Sequence, residues 1–328
     1  MSGLIVIGGP SASGKSALAL RLAEALGGAI INADSMQLYR ALPLLTAQPD
    51  AAARARVPHR LYGVLEAADP ASAGRWLALA GEAIAASVAA GQLPIVVGGT
   101  GLYLKALLRG LAPVPEVPAA VRRAAEQDLA RLGAPGLHAA LAERDPALAA
   151  RLRPSDRQRL LRGWEVLNAT GRSLAAWQAE PVWRVPLPAP VLGLALLPPR
   201  RALYERIGRR LQAMVAAGAL DELAALRAGR PAPELLLLKA VGVAELLAHL
   251  DGRLSLPEAL EQAARRTRHY AKRQVTWLRH QLPELRPLEA FGDDPAVLAE
   301  AELAAPRWLT PGPRLTDAAL THSFRAHL

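Results

Sequence analysis

Short apolar runs alternate with helical patterns in the first part of the chain, and the alternation resumes near residue 191. The apolar runs lie at residues 4–7, 29–31, 93–97 and 191–197, with a weaker strand-like segment at 63–65. Short runs rich in Val, Ile and Leu are typical of strands that a parallel sheet buries on both faces. Ala- and Leu-rich segments at 17–26 and 73–90 favour helices. The pattern predicts an α/β fold with a parallel sheet flanked by helices.

The middle of the chain lacks this alternation. Prolines cluster at 113–118 and again at 181–190, and such clusters mark boundaries. Between them every segment has a helical pattern, at 121–132, 136–143, 146–152 and 156–169. Because the run at 191–197 has the character of a buried strand, we expect the chain to return there to the first sheet. We therefore predict a core of residues 1–112 and 191–290, an all-helical insertion domain of 113–190, and a tail of 291–328.

A glycine-rich loop joins the first apolar run to the first helix. It matches the pattern G-x-x-x-x-G-K-[ST] through Gly9, Pro10, Ser11, Ala12, Ser13, Gly14, Lys15 and Ser16. Glycines let successive backbone N–H groups point inward at a helix N-terminus, where they bind anions. Lys15 adds a positive charge, and the Ser16 hydroxyl can bind Mg²⁺. The loop predicts a P-loop core that holds a polyphosphate, without saying which polyphosphate.

A carboxylate follows the second apolar run. Asp34 stands where the carboxyl end of a parallel strand meets the ligand crevice, so we expect it beside the phosphate loop. It can act there as a general base or as a ligand of Mg²⁺. Because Asp is also a favoured N-cap, the sequence leaves a third role open, the capping of the helix that begins near Ser35.

The strand at 93–97 ends in Gly98-Gly99-Thr100-Gly101. Glycines at a strand end let the backbone approach a ligand closely, and Thr100 presents a hydroxyl next to the predicted phosphate site. A glycine-rich turn that starts a helix at 102–109 explains the same residues. Many P-loop kinases and ATPases carry a metal-binding Asp at this strand end, and this chain does not.

The charge of the chain favours a large anionic partner. The formal net charge is +10, and arginine supplies nearly all of the positive charge, because lysine occurs only at 15, 105, 239 and 272. Such an excess favours a partner larger than a nucleotide, with nucleic acid first. The chain has no cysteine and therefore no disulfide. No apolar run is long enough to span a membrane, and a strand begins next to the start, so we expect a cytoplasmic protein that does not bind membranes.

Two basic helices are candidate nucleic-acid contacts. The first begins at 156–162 and carries arginines and a glutamine in its first turns. The second spans 256–281 and carries arginines and lysines at helical spacing, with Tyr270 and Trp277 on one face. A basic stripe beside an aromatic stripe suits nucleic acid on one side and the core on the other. The alternative for either helix is a solvated surface.

Several stretches together resemble the tRNA dimethylallyltransferases of the P-loop superfamily, in their bacterial form. The most specific are INADSMQLY at 31–39, IVVGGTGLY at 95–103 and YAKRQVTWLR at 270–279, which follow GPSASGKS at 9–16 in this order. The resemblance covers roughly residues 4–280. The chain departs from the family at Gln48, where Lys is usual, at Val243, where Tyr is usual, and at 39–45, which lacks a Gly-Met-Asp-Ile-Gly run.

The resemblance implies a prenyl transfer. The phosphate loop would hold dimethylallyl diphosphate, and the dimethylallyl group would move to the exocyclic N6 amine of the adenosine 3′-adjacent to the anticodon of tRNA. Asp34 would accept the proton of that amine, and Thr100 would hold base and diphosphate in register. Arg210, Lys15 and Ser16 with Mg²⁺ would stabilise the departing diphosphate.

The resemblance also implies a set of tRNA contacts, and we expect the chain to act as a monomer. The predicted contacts are Asp34, Ser35, Met36, Gln37, Thr100, Arg122, Gln158, Arg159, Leu160, Leu161, Arg162, Lys239, Arg265, Arg268 and Lys272. Two other functions remain possible for the residues taken alone. A small-molecule kinase would use the same loop with ATP, and a non-enzymatic RNA-binding module would explain the charge but not the loop.

Overall fold

The computed structural model describes residues 3–229, 231 and 235–309, and for 303–309 the backbone only. Six parallel strands form one sheet in the order β3-β2-β4-β1-β5-β6. The strands are β1 (Leu4–Gly8), β2 (Gly28–Asn32), β3 (His59–Arg60), β4 (Leu93–Gly98), β5 (Val191–Leu196) and β6 (Arg286–Leu288). The predicted parallel α/β fold is confirmed, and so is the return of the chain to the first sheet, because β5 pairs with β1.

The helices fall into three groups along the chain. The first group is α1 (Lys15–Leu26), α2 (Pro43–Thr46), α3 (Ala51–Arg56), α4 (Ala73–Ala89) and α5 (Gly101–Arg109). The second is α6 (Ala119–Arg144), α7 (Pro146–Ala149), α8 (Arg157–Thr170) and α9 (Leu174–Gln178). The third is α10 (Arg200–Ala216), α11 (Ala219–Ala228), α12 (Val243–Leu250), α13 (Leu256–Gln281) and α14 (Pro295–Leu309).

The central strands are apolar throughout because both of their faces are covered. Every residue of β1, β2 and β4 is buried. On one side Ile5, Ile7 and Ile95 pack with Leu18 and Leu22 of α1 in a continuous apolar core. Burial at about 25 cal/mol per Å² of apolar surface makes such a core the main stabilising contribution. The strand ends, where this packing stops, carry the polar residues of the site.

The chain divides into two compact units, one of residues 1–108 with 185–328 and one of 109–184. The second unit has its own apolar core, in which Leu137 and Leu141 of α6 pack against Leu160 and Trp164 of α8. Gly133 interrupts α6 with a φ of 68°, between the two helices predicted there. The division into a core and an insertion domain at 113 and 190 stays a prediction.

Two segments differ from their predictions. The strand expected at 63–65 lies instead at His59–Arg60, which pairs with Ile30 and Ile31 of β2. Leu61 and Gly63 have positive φ, and they end the extended backbone before residue 63. The tail predicted from 291 contains α14, which packs on α1, while residues 310–328 lie outside the described part. Within the described residues, no helix combines the length and apolarity needed to cross a membrane.

Candidate active site

The phosphate loop turns between β1 and α1. Gly14 caps α1 with a φ of 82°, a left-handed conformation that glycine adopts without strain. Ala12 is also left-handed, with a φ of 65°. The N–H groups of Lys15 and Ser16 are the first of α1, and N–H groups at this position have no partner inside the helix. The loop therefore offers backbone donors to an anion, as the sequence predicts.

Not all of the loop is free to bind a ligand. The Ser11 N–H donates to Gln274 Oε1 at 3.0 Å, and the Ser13 N–H donates to the Pro10 carbonyl at 3.2 Å. Ser13 is fully buried, and its hydroxyl has no hydrogen-bond partner. The backbone N–H groups of Ser11 and Ser13 thus shape the loop, although the sequence pattern treats all eight residues alike.

Asp34 is held by its neighbours at the end of β2. Its N–H donates to Asn32 Oδ1 at 2.8 Å, and the Asn32 amide donates to the carbonyls of Asp34 and Leu61. Its Oδ1 accepts the Met36 N–H at 3.0 Å, which is a local turn rather than a helix cap. Asn32 is fully buried, and sequence reasoning missed its role although it stands in the motif INADSMQLY.

Thr100 holds the residue next to Asp34. Its hydroxyl oxygen accepts the Ser35 N–H at 2.9 Å, and it lies 3.3 Å from the Ser35 hydroxyl. Two cavities border the loop. Ser35 lines one of them, and Thr100 lines neither. Thr100 is half-buried, and its hydroxyl orients a residue that lines the cavity.

The glycines around Thr100 approach protein atoms and not an open ligand space. A Cβ on Gly98 would lie 2.1 Å from the Ala33 backbone, and one on Gly101 would lie 2.2 Å from the Trp277 ring. A Cβ on Gly99 would lie 2.4 Å from Gln274 Nε2. The interpretation of these glycines as an approach for a ligand is therefore corrected, because they let the end of β4 and the start of α5 pack against Ala33 and α13.

Two cavities meet at the loop and share Ala12, Lys15, Gln37 and Arg210. The outer cavity, about 730 Å³, is lined by loop residues 12–17, by Arg206 and Arg209, and by Phe291. The inner cavity, about 470 Å³, brings Lys15 together with Asp34, Ser35 and Met36. Lys239, Arg266, Tyr270 and Arg273 also line it. The structure thus brings a phosphate-binding loop and a carboxylate to one space.

The charges in this space act on one another. Burial lowers the pKa of Lys15 to about 8, a shift that Asp34 opposes and Arg210 reinforces. Burial also lowers the pKa of Arg210, with a further contribution from Arg206, while Asp34 raises it. Two desolvated cations beside one carboxylate leave excess positive charge, which suits a ligand with more than one negative charge.

The segment after β6 closes the outer side of the loop. The Gly292 N–H donates to the Ser13 carbonyl at 2.9 Å, and Asp293 binds the Arg206 guanidinium through two hydrogen bonds, one of 2.7 Å. A Cβ on Gly14 would lie 2.5 Å from the Asp293 carboxylate. The Arg206 guanidinium also lies over the Phe291 ring, 4.8 Å from its centre. The sequence carried no pattern from which this contact could be predicted.

A basic cleft lies between α10 and α13. Its cations include Arg200, Arg268, Lys272 and Arg273, and the rings of Tyr204 and Trp277 form part of its wall. Arg268 is paired with Glu261 at 2.7 Å, an exposed acid whose contact contributes little. Arg265 is exposed but does not line the cleft. Arg273 borders both this cleft and the inner cavity.

The predicted contacts in the second unit separate into exposed and buried residues. Gln158 and Arg159 are exposed on α8, and Arg122 and Arg162 are half-buried and paired with Glu116 and Glu165. Leu160 is fully buried in the core of the unit, so its predicted contact with RNA is wrong for the side chain. Leu161 packs against the same core. Neighbouring residues of a helix lie on different faces, so exposed and buried side chains alternate within one turn. A motif that is assigned as one block does not distinguish them.

The departures from the family pattern have structural roles. The Gln48 amide donates to the Tyr39 carbonyl at 2.7 Å and fixes the turn before α3. The neighbouring Gln37 amide donates to the carbonyls of Thr46 and Ala47 at 2.9 Å each. Val243 is fully buried at the start of α12, where an apolar side chain needs no hydrogen-bond partner.

His59 has a structural environment. Its ring contacts the Val57 carbonyl and the Tyr62 ring.

Among the described residues, no group of three or more His, Cys, Asp or Glu side chains could hold a metal ion. Mg²⁺ commonly binds through one or two protein ligands together with substrate phosphates and water. Ser16 is exposed and lines the outer cavity next to Lys15. Its hydroxyl therefore fits a Mg²⁺ whose other ligands come from a bound polyphosphate.

Known proteins match most of the chain. The family model described as IPP transferase matches residues 37–281. A tRNA dimethylallyltransferase of Rhodospirillum rubrum is 58% identical over 279 residues, which are 85% of this chain and 86% of that protein. One of Nitrobacter hamburgensis is 51% identical over 313 residues, covering 94% of this chain and 95% of that protein.

Solved structures agree with these relatives. The tRNA isopentenylpyrophosphate transferase of Bacillus halodurans matches with a TM-score of 0.64 and 30% identity, covering 94% of this chain and 97% of that one. A eukaryotic dimethylallyltransferase acting on tRNA matches with a TM-score of 0.75 and 26% identity, over 94% of this chain and 77% of that one. By family model, sequence and fold, the chain belongs to the IPP transferase family, whose members include the tRNA dimethylallyltransferases.

Proposed function

We propose that the chain transfers the dimethylallyl group of dimethylallyl diphosphate to the N6 amine of the adenosine 3′-adjacent to the anticodon of tRNA, and releases diphosphate. One observation carries this proposal. Lys15 of the phosphate loop, which follows β1, and Asp34, which follows β2, line the same cavity. The loop suits the leaving group and the carboxylate suits the attacking amine, so that the two halves of one substitution meet there.

The donor fits the space around the loop. Its diphosphate would lie against the loop N–H groups with Lys15 and Arg210, which line both cavities. Apolar side chains of the inner cavity, Ile207, Leu211 and Met214, offer a surface for the five-carbon group. Apolar contacts of this kind orient the dimethylallyl group, while the charged diphosphate is bound at the loop.

The chemistry is a substitution at an allylic carbon. The adenine N6 attacks that carbon, a C–N bond forms, and the C–O bond to the diphosphate breaks. Asp34 Oδ1 already accepts the Met36 N–H, so Oδ2 is the atom that takes the N6 proton. Lys15, Arg210 and the loop N–H groups stabilise the charge that develops on the leaving diphosphate.

We also propose that Mg²⁺ binds at Ser16 together with the oxygens of the diphosphate. The ion would neutralise negative charge on the leaving group. Lys15 and Arg210 share that role, because both line the outer and the inner cavity.

The tRNA would bind along the basic cleft and reach the inner cavity past Arg273. An adenine within a stacked loop cannot reach a carbon held in a cavity, so it must leave the stack, as in other base-modifying enzymes. Lys239 and Gln37 line the inner cavity and are in position to contact the extruded nucleotide. Action on tRNA implies a cytoplasmic location, and that location and a monomeric state stay predictions.

The proposal is tested by incubating the protein with labelled dimethylallyl diphosphate and unmodified tRNA. We expect label in the RNA. Consumption of ATP with phosphoryl transfer would support a kinase instead, and retention of tRNA without transfer would support an RNA-binding module. An RNA-binding module has no use for Lys15 and Asp34 in one cavity, whereas a kinase could use both, so the kinase is distinguished by the group that is transferred.

The lowered pKa of Lys15 predicts a pH dependence of donor capture. Because the protonated form binds diphosphate, kcat/KM for the donor should fall above pH 8 or so, toward tenfold per pH unit. Lys15→Arg keeps a charged group at all accessible pH values and should remove this alkaline fall. An identical alkaline fall in Lys15→Arg would assign the titration to another group.

Neutralising the cleft should weaken tRNA binding and its dependence on salt. Replacing Arg265, Arg268 and Lys272 by Gln should reduce the slope of log Kd against log salt by about 0.7–0.9 for each phosphate that the protein no longer neutralises. We expect Arg268 and Lys272, which line the cleft, to account for most of the change. Arg21→Gln, Arg56→Gln and Arg227→Gln combined, on α1, α3 and α11, are the matched control of three exposed arginines. An unchanged slope in the triple variant would reassign α13 to a solvated surface.

A further inference from the structure

One buried side-chain amide joins the phosphate loop to the end of β4. Gln274 lies on α13 and is 6% exposed. Its Oε1 accepts the Ser11 N–H at 3.0 Å, and its Nε2 donates to the Gly99 carbonyl at 2.8 Å. An amide has one end that accepts and one end that donates, and here each end meets a backbone group of the opposite kind. Both functions of the side chain are therefore in use.

The two groups that Gln274 joins belong to the two halves of the site. Ser11 is part of the loop that would hold the diphosphate. Gly99 precedes Thr100, whose hydroxyl holds Ser35 beside Asp34. The chain of contacts from Ser11 through Gln274 and Gly99 to Ser35 thus spans from the donor side to the acceptor side of the inner cavity.

The amide lies directly against the backbone of Gly99. A Cβ on Gly99 would lie 2.4 Å from Gln274 Nε2 and 3.5 Å from Asp34 Oδ2. The missing side chain at Gly99 is what lets the amide reach the carbonyl. A single methyl group at Gly99 would therefore displace the contact between Gln274 and the end of β4.

We infer that Gln274 is a positioning residue that sets the distance between the phosphate loop and the segment of Asp34, Ser35 and Thr100. The inference rests on the proposed function. A substitution needs its reacting atoms about 3–3.5 Å apart and aligned, and a misplacement of about 1 Å can cost about 10²-fold in rate. Gln274 touches neither reactant in this assignment, so that its removal should slow the transfer step more than it weakens the binding of either substrate.

The main test is Gln274→Met, which keeps the length of the side chain and removes both hydrogen bonds. With both substrates saturating, the single-turnover rate of transfer should fall about 10- to 100-fold. The dissociation constants of donor and tRNA should each change by less than about threefold, well short of that rate loss. Gln92→Met is the matched control, because Gln92 is also shielded from solvent and accepts a hydrogen bond, from Arg60 at 3.3 Å, but lines none of the three cavities.

Gly99→Ala attacks the same contact from the other side. Its methyl group should displace the amide and slow transfer to a similar extent. If both changes act through one contact, the rate loss of the double variant should stay close to that of either single variant. Gln274→Glu keeps the acceptor for Ser11 but turns an oxygen toward the Gly99 carbonyl, and it should be as slow as Gln274→Met.

The inference is overturned if Gln274→Met transfers at the wild-type rate, or if only the donor dissociation constant rises. It is also overturned if the rate losses of Gly99→Ala and Gln274→Met multiply. Should Gln274→Met fail to fold, Gln274→Glu and Gly99→Ala decide the question by the same measurements. Failure of the proposed function is distinct, because the wild-type protein itself would then transfer no label.

Discussion

Replacing Asp34 by Asn is expected to lower the rate of prenyl transfer by about 10²–10⁴-fold, the usual loss when a general base is removed. Asn keeps the shape of Asp34 and can still accept the Met36 N–H through its carbonyl oxygen. It cannot take the N6 proton. Binding of donor and of tRNA should therefore survive within a few-fold. The measurement is single-turnover transfer from a preformed complex.

Two comparisons separate the roles open to Asp34. If the carboxylate mainly binds Mg²⁺, excess Mg²⁺ should restore much of the rate of Asp34→Asn. If it only fixes the local turn, Asp34→Asn should turn over normally and keep its stability, whereas Asp34→Ala should turn over normally and lose about 1 kcal/mol of stability. Asp50→Asn is the matched control, because Asp50 also accepts a backbone N–H, that of Ala53 at 2.7 Å, outside both cavities. Near-normal turnover of Asp34→Asn would remove it from the chemistry.

Lys15→Ala should raise the KM for dimethylallyl diphosphate and also slow turnover by about 10²-fold or more. Its charge acts on the diphosphate before the reaction, and on the larger charge that develops as the C–O bond breaks. The affinity for tRNA alone should change little, because the predicted RNA contacts of α13 lie apart from the loop. Steady-state kinetics with the donor varied and a separate tRNA titration measure both effects.

Lys105→Ala is the control for this change, since Lys105 lies on α5 and bonds to Gln281. Loss of ATP binding in Lys15→Ala, with prenyl transfer intact, would contradict the assignment of the donor. Equal losses in the two lysine variants would indicate a general effect of charge instead of a contact at the loop.

Most strands of the sheet could be predicted because each can be recognised from its own residues. The strands β1, β2 and β4 are buried on both faces, so they appear in the sequence as unbroken apolar runs between glycines and polar residues. The strand β3 has only two residues, both polar, and no periodicity could place it. The prediction at 63–65 therefore failed where tertiary pairing with β2, and not local preference, determines the strand.

The site could be predicted only in part, for a similar reason. The loop at 9–16 and the carboxylate at Asp34 stand directly after strands, and strand ends converge in a parallel sheet. The contacts of Gln274 with Ser11 and of Asp293 with Arg206 join residues far apart in sequence. The motif YAKRQVTWLR contains Gln274, but only the fold connects it to the loop. Leu160 was misassigned because a motif does not say which face of its helix is buried.

The central claim is tested most directly by identifying the modified nucleoside. Unmodified tRNA is incubated with the protein, Mg²⁺ and dimethylallyl diphosphate, digested, and analysed by mass spectrometry. The adenosine 3′-adjacent to the anticodon should gain the mass of one dimethylallyl group, with equal release of diphosphate. Asp34→Asn should yield far less of this product in the same time. Bound but unmodified tRNA, or modification of a different nucleoside, would contradict the assignment.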